Sequence, residues 1–444
     1  MQPSVRKKSW MNRFIDTIEY WGNKLPHPFI LFGMLVVITL IGSWILSQAG
    51  CSITYMAASR TPGEPEKEVT IAVTNLLSGE NLRYLITKYP DIFIGYPPMK
   101  LVLVMMAATA FIEKTGFFGT FMKRYLLRAP RGLVTFAVVF VGVNSNLMSD
   151  AGTLFALTMG GIIFAALGRN PLIGVILGWA SSSGGFTANL FLAGTDALLA
   201  GITEGVVKEM GVAVDINPAM NYFFMASATF FLSVTLTLFT EKVVCRMVGD
   251  GDGKVNMALL EEHKLTADQE KGLRWAFYGF LFFLAVMAAL TVPSWAILRN
   301  AKGGFLPKSP FFAGIITLIA FFFVSTGLPY GVATGEIKKW KDIPRLVSAG
   351  LREAIPLLTT TMMAAVFIDM MNKSNIFKMV AVAGAEALRG ANIGLLPLCL
   401  MIIVVTTIIN PFMTSGSSKW LIIAPMIVPM FTMLNVHPAY AQLA

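Results

Sequence analysis

A chain of 444 residues that is 55% hydrophobic and only 14% charged, with mean hydropathy +0.67, is not a soluble globular domain; those carry about a quarter charged residues. The net charge of +10 is spread through the segments between apolar runs, so it points to membrane topology rather than to nucleic acid. Cys51, Cys245 and Cys399 show no CxxC or other metal spacing, which excludes a disulfide framework and a zinc site.

In chain order, the basic start "SVRKKSWMNR" is separated from the first apolar run by polar and aromatic residues, unlike a cleavable signal. A helix needs about 20 apolar residues to cross the hydrocarbon layer. Runs at 28–46, 171–193, 222–239, 275–298, 311–330 and 355–370 meet that need. The shorter run 101–112 meets it if "DIFIGYPP" is partly immersed and Lys100 snorkels to the headgroups. Two longer stretches, 133–167 and 395–434, are each broken at the centre by a polar patch. Each is either two spans with a tight loop or a re-entrant hairpin.

Basic residues discriminate. With the N-terminus cytoplasmic and both broken stretches as hairpins, 22 of the 35 Lys and Arg fall on the cytoplasmic side and 12 outside, with Lys419 inside the second hairpin. That bias supports the hairpin arrangement. The two hairpins then have opposite orientation, the mark of an inverted repeat. Asn144 and Ser149 in "NSNLMS" share the spacing of Asn410 and Ser415 in "NPFMTS", at an offset of 266 for both pairs. The predicted fold class is an all-α polytopic membrane protein, an inverted-repeat secondary transporter with two re-entrant helical hairpins and a discontinuous span. Its divisions are a cytoplasmic N-terminal segment (1–27), a first part (28–240) with hairpin 1 at about 133–167 and an unwound span at 180–196, a cytoplasmic linker (241–274), and a second part (275–444) with hairpin 2 at about 395–434.

Non-helical backbone at membrane depth is tolerated only when buried in protein or lining a watery cavity, so the tips need a reason. Carbonyls with Asn and Ser oxygens suit a hard cation, and free amides suit a carboxylate. Asn144, Asn146, Ser149 and Asp150 in the first tip are candidates, with sodium placed at Asn144, Ser149, Asn410 and Ser415. In "ASSSGGFTANLFLAGTD" Gly184 and Gly185 let a helix unwind, and Ser181, Ser182, Ser183, Thr187 and Asn189 supply oxygens; Ser183, Gly185, Asn189 and Asp196 are the candidates in this run. The plainer alternative is an interhelical turn capped by Asx residues, for which Ser149 or Asp150 would be the N-cap.

Three segments, "MNRFIDTIEYWGNKLPHPFILF", "SSSGGFTANLFLAGTDALLAGIT" and "NPFMTSGSSKWLIIAPMIVPM", resemble the aminobenzoyl-glutamate transporter family, and the resemblance runs along essentially the whole chain. It implies a homodimeric multi-pass transporter of the bacterial inner membrane with nine spans and two hairpins. The implied solute is p-aminobenzoyl-glutamate, or export of sulfonamide-type antimetabolites, coupled to a sodium or proton gradient with no cofactor. The resemblance implies binding roles for Asn410, Ser417 and Trp420, for the downstream Pro438, and for Asp196 as one of two functional aspartates. Lys419, beside Trp420, could meet a solute carboxylate. The family's second aspartate and last two spans would fall beyond Ala444, so the chain reads as C-terminally incomplete.

Other classes fare less well. There is no HExxH, no GxSxG and no histidine near a polar tip, so an enzyme is not expected. "GDGDGKVNMALLEE" starts like a calcium loop but fails at Lys254 and Val255. A sodium-coupled dicarboxylate carrier of the wider ion-transporter superfamily uses similar hairpins and is the runner-up. An ion channel is the alternative from another class, though it would have no use for an inverted pair.

Overall fold

The structure is a computed structural model that describes residues 20, 24, 26–57, 67–210, 214–305, 309–390, 394–410, 416–434 and 436–444. Its main helices are α1 (Pro28–Gln48), α2 (Gly79–Gly95), α3 (Pro97–Lys114), α4 (Phe117–Arg128), α5 (Val134–Asn144), α6 (Ser149–Ala166), α7 (Pro171–Gly185), α8 (Gly194–Glu209) and α9 (Tyr222–Phe239). They continue with α10 (Ala267–Thr291), α11 (Ile315–Thr334), α12 (Asp342–Glu353), α13 (Ile355–Lys373), α14 (Ile376–Gly390), α15 (Leu395–Ile409), α16 (Gly416–Met433) and α17 (Pro438–Leu443). A small antiparallel sheet, β1 (Ser52–Ala57) with β2 (Lys67–Ala72), interrupts the helices after α1.

Among the described residues six stretches are long and apolar enough to cross a membrane: Pro28–Gln48, Arg131–Met148, Tyr222–Val248, Ala267–Thr291, Ile315–Thr334 and Ile355–Lys373. Ala151–Ala166 and Leu395–Ile409 are shorter apolar helices, as hairpin arms should be. The chain is thus a mostly helical polytopic membrane protein. Some bounds differ from the sequence reading. The span expected at 275–298 starts eight residues earlier, at Ala267, because Thr266 and Gln269 form a reciprocal capping box there. The segment 51–100, which no apolar run long enough to span occupies in the sequence, holds the sheet and α2.

Compactness separates two units. The first comprises 1–99, 199–216 and 355–444. Here α1 lies along α13, with Phe32 and Phe367 ring centroids 5.9 Å apart and Leu76, Val366 and Met370 buried together. The sheet is tied to the end of α13: Thr74 N–H donates to Ser374 O at 3.0 Å and Asn375 Nδ2 to Ala72 O at 3.0 Å. Tyr84 on α2 donates to Asp369 Oδ1 at 3.3 Å. Asp369 is therefore part of this tie.

The second unit comprises 100–198 and 217–354. Its centre is hairpin 1, α5 and α6, joined by a 3-10 turn at Ser145–Met148 and packed on α7. The backbones of α6 and α7 meet at glycine: a Cβ on Gly174 would strike the Gly160 carbonyl, and one on Gly178 the Ala156 carbonyl. Larger residues there would push the arm away from the helix that carries the unwound segment.

The feet of hairpin 1 are fixed by Arg169. Its Nη1 donates to Thr135 Oγ1 (2.7 Å) and Glu241 Oε1 (2.8 Å), Nη2 to Glu241 Oε2 (3.1 Å) and Cys245 Sγ (3.2 Å), and Nε to Asp250 Oδ1 (2.8 Å). All five donors are thus used, which a lysine could not reproduce. Glu241 lies in a π-helical turn, Thr240–Val244, that extends α9. The donor atoms of Glu241, Cys245 and Asp250 lie within 4.8 Å of one another, but the guanidinium sits among them, so the cluster is an ionic clasp rather than a metal site. Residues 241–274, drawn from the sequence as a linker between two parts, pack inside this unit: Asn170 N–H donates to Asp250 O (2.9 Å) and Gly253 N–H to Gly168 O (2.9 Å). Compactness therefore does not divide the chain at that linker.

Candidate ion and solute site

The first tip is laced to the break in α7–α8. The helix α7 runs through Gly185, and the chain leaves it at Phe186, with φ 32° and ψ −82°. Such a backbone is strained for a residue with a side chain and persists where surrounding contacts over-determine it. The unwound part is 186–193, shorter than the 180–196 expected from sequence, and helix resumes at Gly194. Gly185 permits a close approach here: a Cβ would lie 3.0 Å from Val143 Cα, so a larger residue would make α5 or α7 give by a few tenths of an ångström.

Asn144 bridges both elements. Its Oδ1 accepts from Leu190 N–H at 2.9 Å, and its Nδ2 donates to Phe140 O at 2.8 Å. Asn146 Nδ2 donates to Phe186 O, and its Oδ1 accepts from Asn189 Nδ2 at 3.3 Å. Ser145 Oγ reaches Gly142 O (2.6 Å) and Ser182 Oγ (2.9 Å), and Ser182 meets Thr153 at 2.8 Å. The amides of this tip are therefore used to satisfy non-helical backbone, as membrane depth demands. Ser149 and Asp150 open α6. Ser183 is exposed on the last turn of α7.

Asp196 is buried in the first turn of α8, 3% exposed, and its Oδ2 accepts from Ala193 N–H at 2.6 Å. Two oxygens nearby in sequence are left over: among the described residues Asn189, fully buried, has no hydrogen-bond partner at Oδ1, and neither has Thr195 at its buried Oγ1. Leaving such a group unsatisfied costs about 1–3 kcal/mol, so each calls for an explanation such as an ion or a water.

The second tip lies in the other unit. The backbone N–H of Asn410, just beyond α15, donates to Thr406 O at 2.9 Å, and its Oδ1 accepts from Lys419 Nζ. Ser415 lies outside the described residues, and Ser417 is half-buried on the first turn of α16. Trp420 is buried and its Nε1 donates to Thr203 Oγ1 at 3.0 Å; Thr203 in turn reaches Gln442 Oε1 at 2.6 Å. Pro438 is the first residue of α17, whose N-terminus His437 caps through Nδ1 to Ala439 N–H (3.1 Å). This Trp420–Thr203–Gln442 chain ties α16 to α8 and α17 within the unit. Thr203 and Gln442 carried no sequence signal, since a threonine inside an apolar helix ordinarily bonds its own backbone.

Apolar spans, two polar hairpin tips and a broken helix fastened to one of them define a membrane transport protein. Residues 13–444 match the AbgT putative transporter family, and the chain belongs to it. It is 32% identical over 440 residues to the p-aminobenzoyl-glutamate transport protein of Escherichia coli (strain K12), covering 99% of this chain and 84% of that one. In structure it is similar to the Neisseria gonorrhoeae MtrF protein, described as illuminating a class of antimetabolite efflux pumps: TM-score 0.89, 31% identity, 97% of this chain and 86% of that. It is likewise similar to the Alcanivorax borkumensis YdaH transporter, described as having an unusual topology: TM-score 0.83, 28% identity, 94% of this chain and 85% of that.

Proposed function

We propose that this protein is an ion-coupled secondary transporter whose solute is p-aminobenzoyl-glutamate or a related aromatic compound of folate chemistry, with export of sulfonamide-type antimetabolites as the other direction of the same device. The name of the Escherichia coli relative supports the solute, and the description of the Neisseria protein supports export. The observation that carries ion coupling is the buried, unpartnered Asn189 Oδ1 on the unwound segment that leads to the buried Asp196. Because both faces of the Asn144 amide are engaged, the reading moves the ion from the Asn144 and Ser149 set to Asn189, Thr195 and Asp196. Oxygens of amide, hydroxyl and carboxylate suit sodium. In the other unit, Trp420 offers an aromatic face and Lys419 a counter-charge for a carboxylate, beside Asn410, Ser417 and Pro438.

Sodium replacing choline at constant ionic strength should raise the Tm of the purified protein by a few degrees, since a ligand that binds only the folded state stabilises it. Asn189→Leu should remove that rise. Absence of any sodium response in the wild type would transfer the coupling to protons. The reading also keeps a homodimer in the inner membrane with its N-terminus in the cytoplasm, supported by the basic bias and the family resemblance. Native mass analysis should then give the mass of two chains, a single-chain mass telling against the pair. An impermeant thiol reagent on intact cells should leave the exposed position of an Asp252→Cys variant unlabelled; labelling would reverse the orientation.

A further inference from the structure

Within the second unit, α3, α11 and α12 enclose an apolar groove of about 570 Å³. Its walls include Leu103, Ala107 and Phe111 from α3, Leu328 from α11, and Ile343 and Val347 from α12. That volume lies within the range of about 300–1,000 Å³ found for small-molecule sites. The lining is hydrocarbon, so the occupant is hydrocarbon where it touches the groove.

The end of the groove at Ile343 is different. Just before α12 the chain reads Lys338-Lys339-Trp340-Lys341, all exposed, with Trp340 at 83%. This basic turn is folded back on the helix N-terminus: the backbone N–H groups of Lys338 and Lys339 each donate to Asp342 Oδ2 at 2.9 Å. Arg345 lies against Asp342 at 3.4 Å. Those backbone amides and Arg345 engage the Asp342 carboxylate, while Lys338, Lys339 and Lys341 are exposed on the turn that leads within two residues to the groove-lining Ile343. Below the turn, Phe111, Ile337 and Leu346 form a small buried cluster that fixes the turn to α3 and α12. An exposed tryptophan flanked by lysines is the chemistry of a membrane–water interface.

We propose that this groove is a binding site for an anionic phospholipid, one acyl chain lying between α3 and α12 and the headgroup phosphate held by Lys338, Lys339 and Lys341. Charge complementarity selects the occupant: a zwitterionic lipid fills the groove equally well but gains less from the lysines. The site shares no residue with either hairpin tip and does not depend on the transport reading.

The test uses purified full-length protein in detergent, titrated with phosphatidylglycerol, phosphatidylcholine of the same chains, or inorganic phosphate. Phosphatidylglycerol should raise Tm by at least about 3 °C, while the other two shift it much less. The Lys338→Gln, Lys339→Gln, Lys341→Gln triple variant, altered only at exposed positions, should lose the preference for phosphatidylglycerol. Ala107→Phe, which fills the groove, should lose the response to both lipids. Equal stabilisation by the two lipids, a response to free phosphate alone, or an undiminished preference in the lysine variant would overturn the proposal. So would spontaneous disulfide formation between two copies of a Val347→Cys variant, which would give the groove to a second chain instead.

Discussion

Asp196→Asn is expected to cut ion-driven transport by about ten- to a hundredfold while leaving the fold intact. Asparagine has the same shape and keeps an oxygen for the Ala193 N–H, so the first turn of α8 retains its cap. What disappears is the charge. A charged hydrogen-bonding group contributes about 1.5–3 kcal/mol to what it binds, and each 1.4 kcal/mol is a factor of ten. A buried carboxylate without a cationic partner is costly in the empty protein, so its removal should leave Tm unchanged or raise it. The pair of readouts separates a lost ion ligand from a damaged structure. Wild-type transport by Asp196→Asn would remove the carboxylate from the mechanism; a fall in both Tm and transport would make it structural.

Asn144→Leu should have the largest effect on stability among the tip residues. The leucine fits the buried volume but strips the acceptor from Leu190 N–H, a backbone group in a non-helical segment. Phe140 lies one turn inside α5, where its carbonyl also serves the helix ladder, so losing the Nδ2 donor matters less. The orphaned N–H should cost about 1–3 kcal/mol, which lowers Tm by several degrees, and the unwound segment should lose its register against the tip, with transport falling alongside. Asn144→Asp keeps the acceptor and should retain more stability than the leucine variant in the same melting experiment. Thr158→Ala, at an exposed position on α6, is the control and should change neither quantity. An Asn144→Leu protein with unaltered Tm would contradict the lacing described for hairpin 1.

Much of the architecture could be read from hydrophobic runs, because a span must be apolar along its whole length. The run 222–239 coincides with α9, and the polar interruption at 144–150 coincides with the turn between α5 and α6. The glycine pair at 184–185 pointed to a break, but the helix runs through Gly185 and the departure falls at Phe186. Local pattern could also have found the sheet, since "SITYMA" and "KEVTIA" are six-residue segments with β-branched residues; the charged run between them drew the reading toward a loop. Other features were out of reach. The partners of Arg169 lie 34, 72 and 81 residues away in the chain, so from sequence it was only one more positive charge. The candidate sites were named by oxygen-bearing residue types, yet which oxygens are spent on backbone and which are left over depends on tertiary geometry. Asn144 and Asn189 look alike in sequence; only the fold distinguishes them.

The central claim is solute movement driven by an ion gradient. It is tested most directly by uptake of radiolabelled p-aminobenzoyl-glutamate into vesicles reconstituted with this protein, with sodium and proton gradients imposed separately and succinate as the competing solute. Accumulation above the equilibrium level under one of the two gradients, abolished when that gradient is collapsed and unaffected by excess succinate, is the predicted result. Equilibration at the same rate with and without either gradient would contradict coupled transport and indicate a channel-like pathway, and inhibition by succinate with no movement of the aminobenzoyl compound would assign the site to a dicarboxylate.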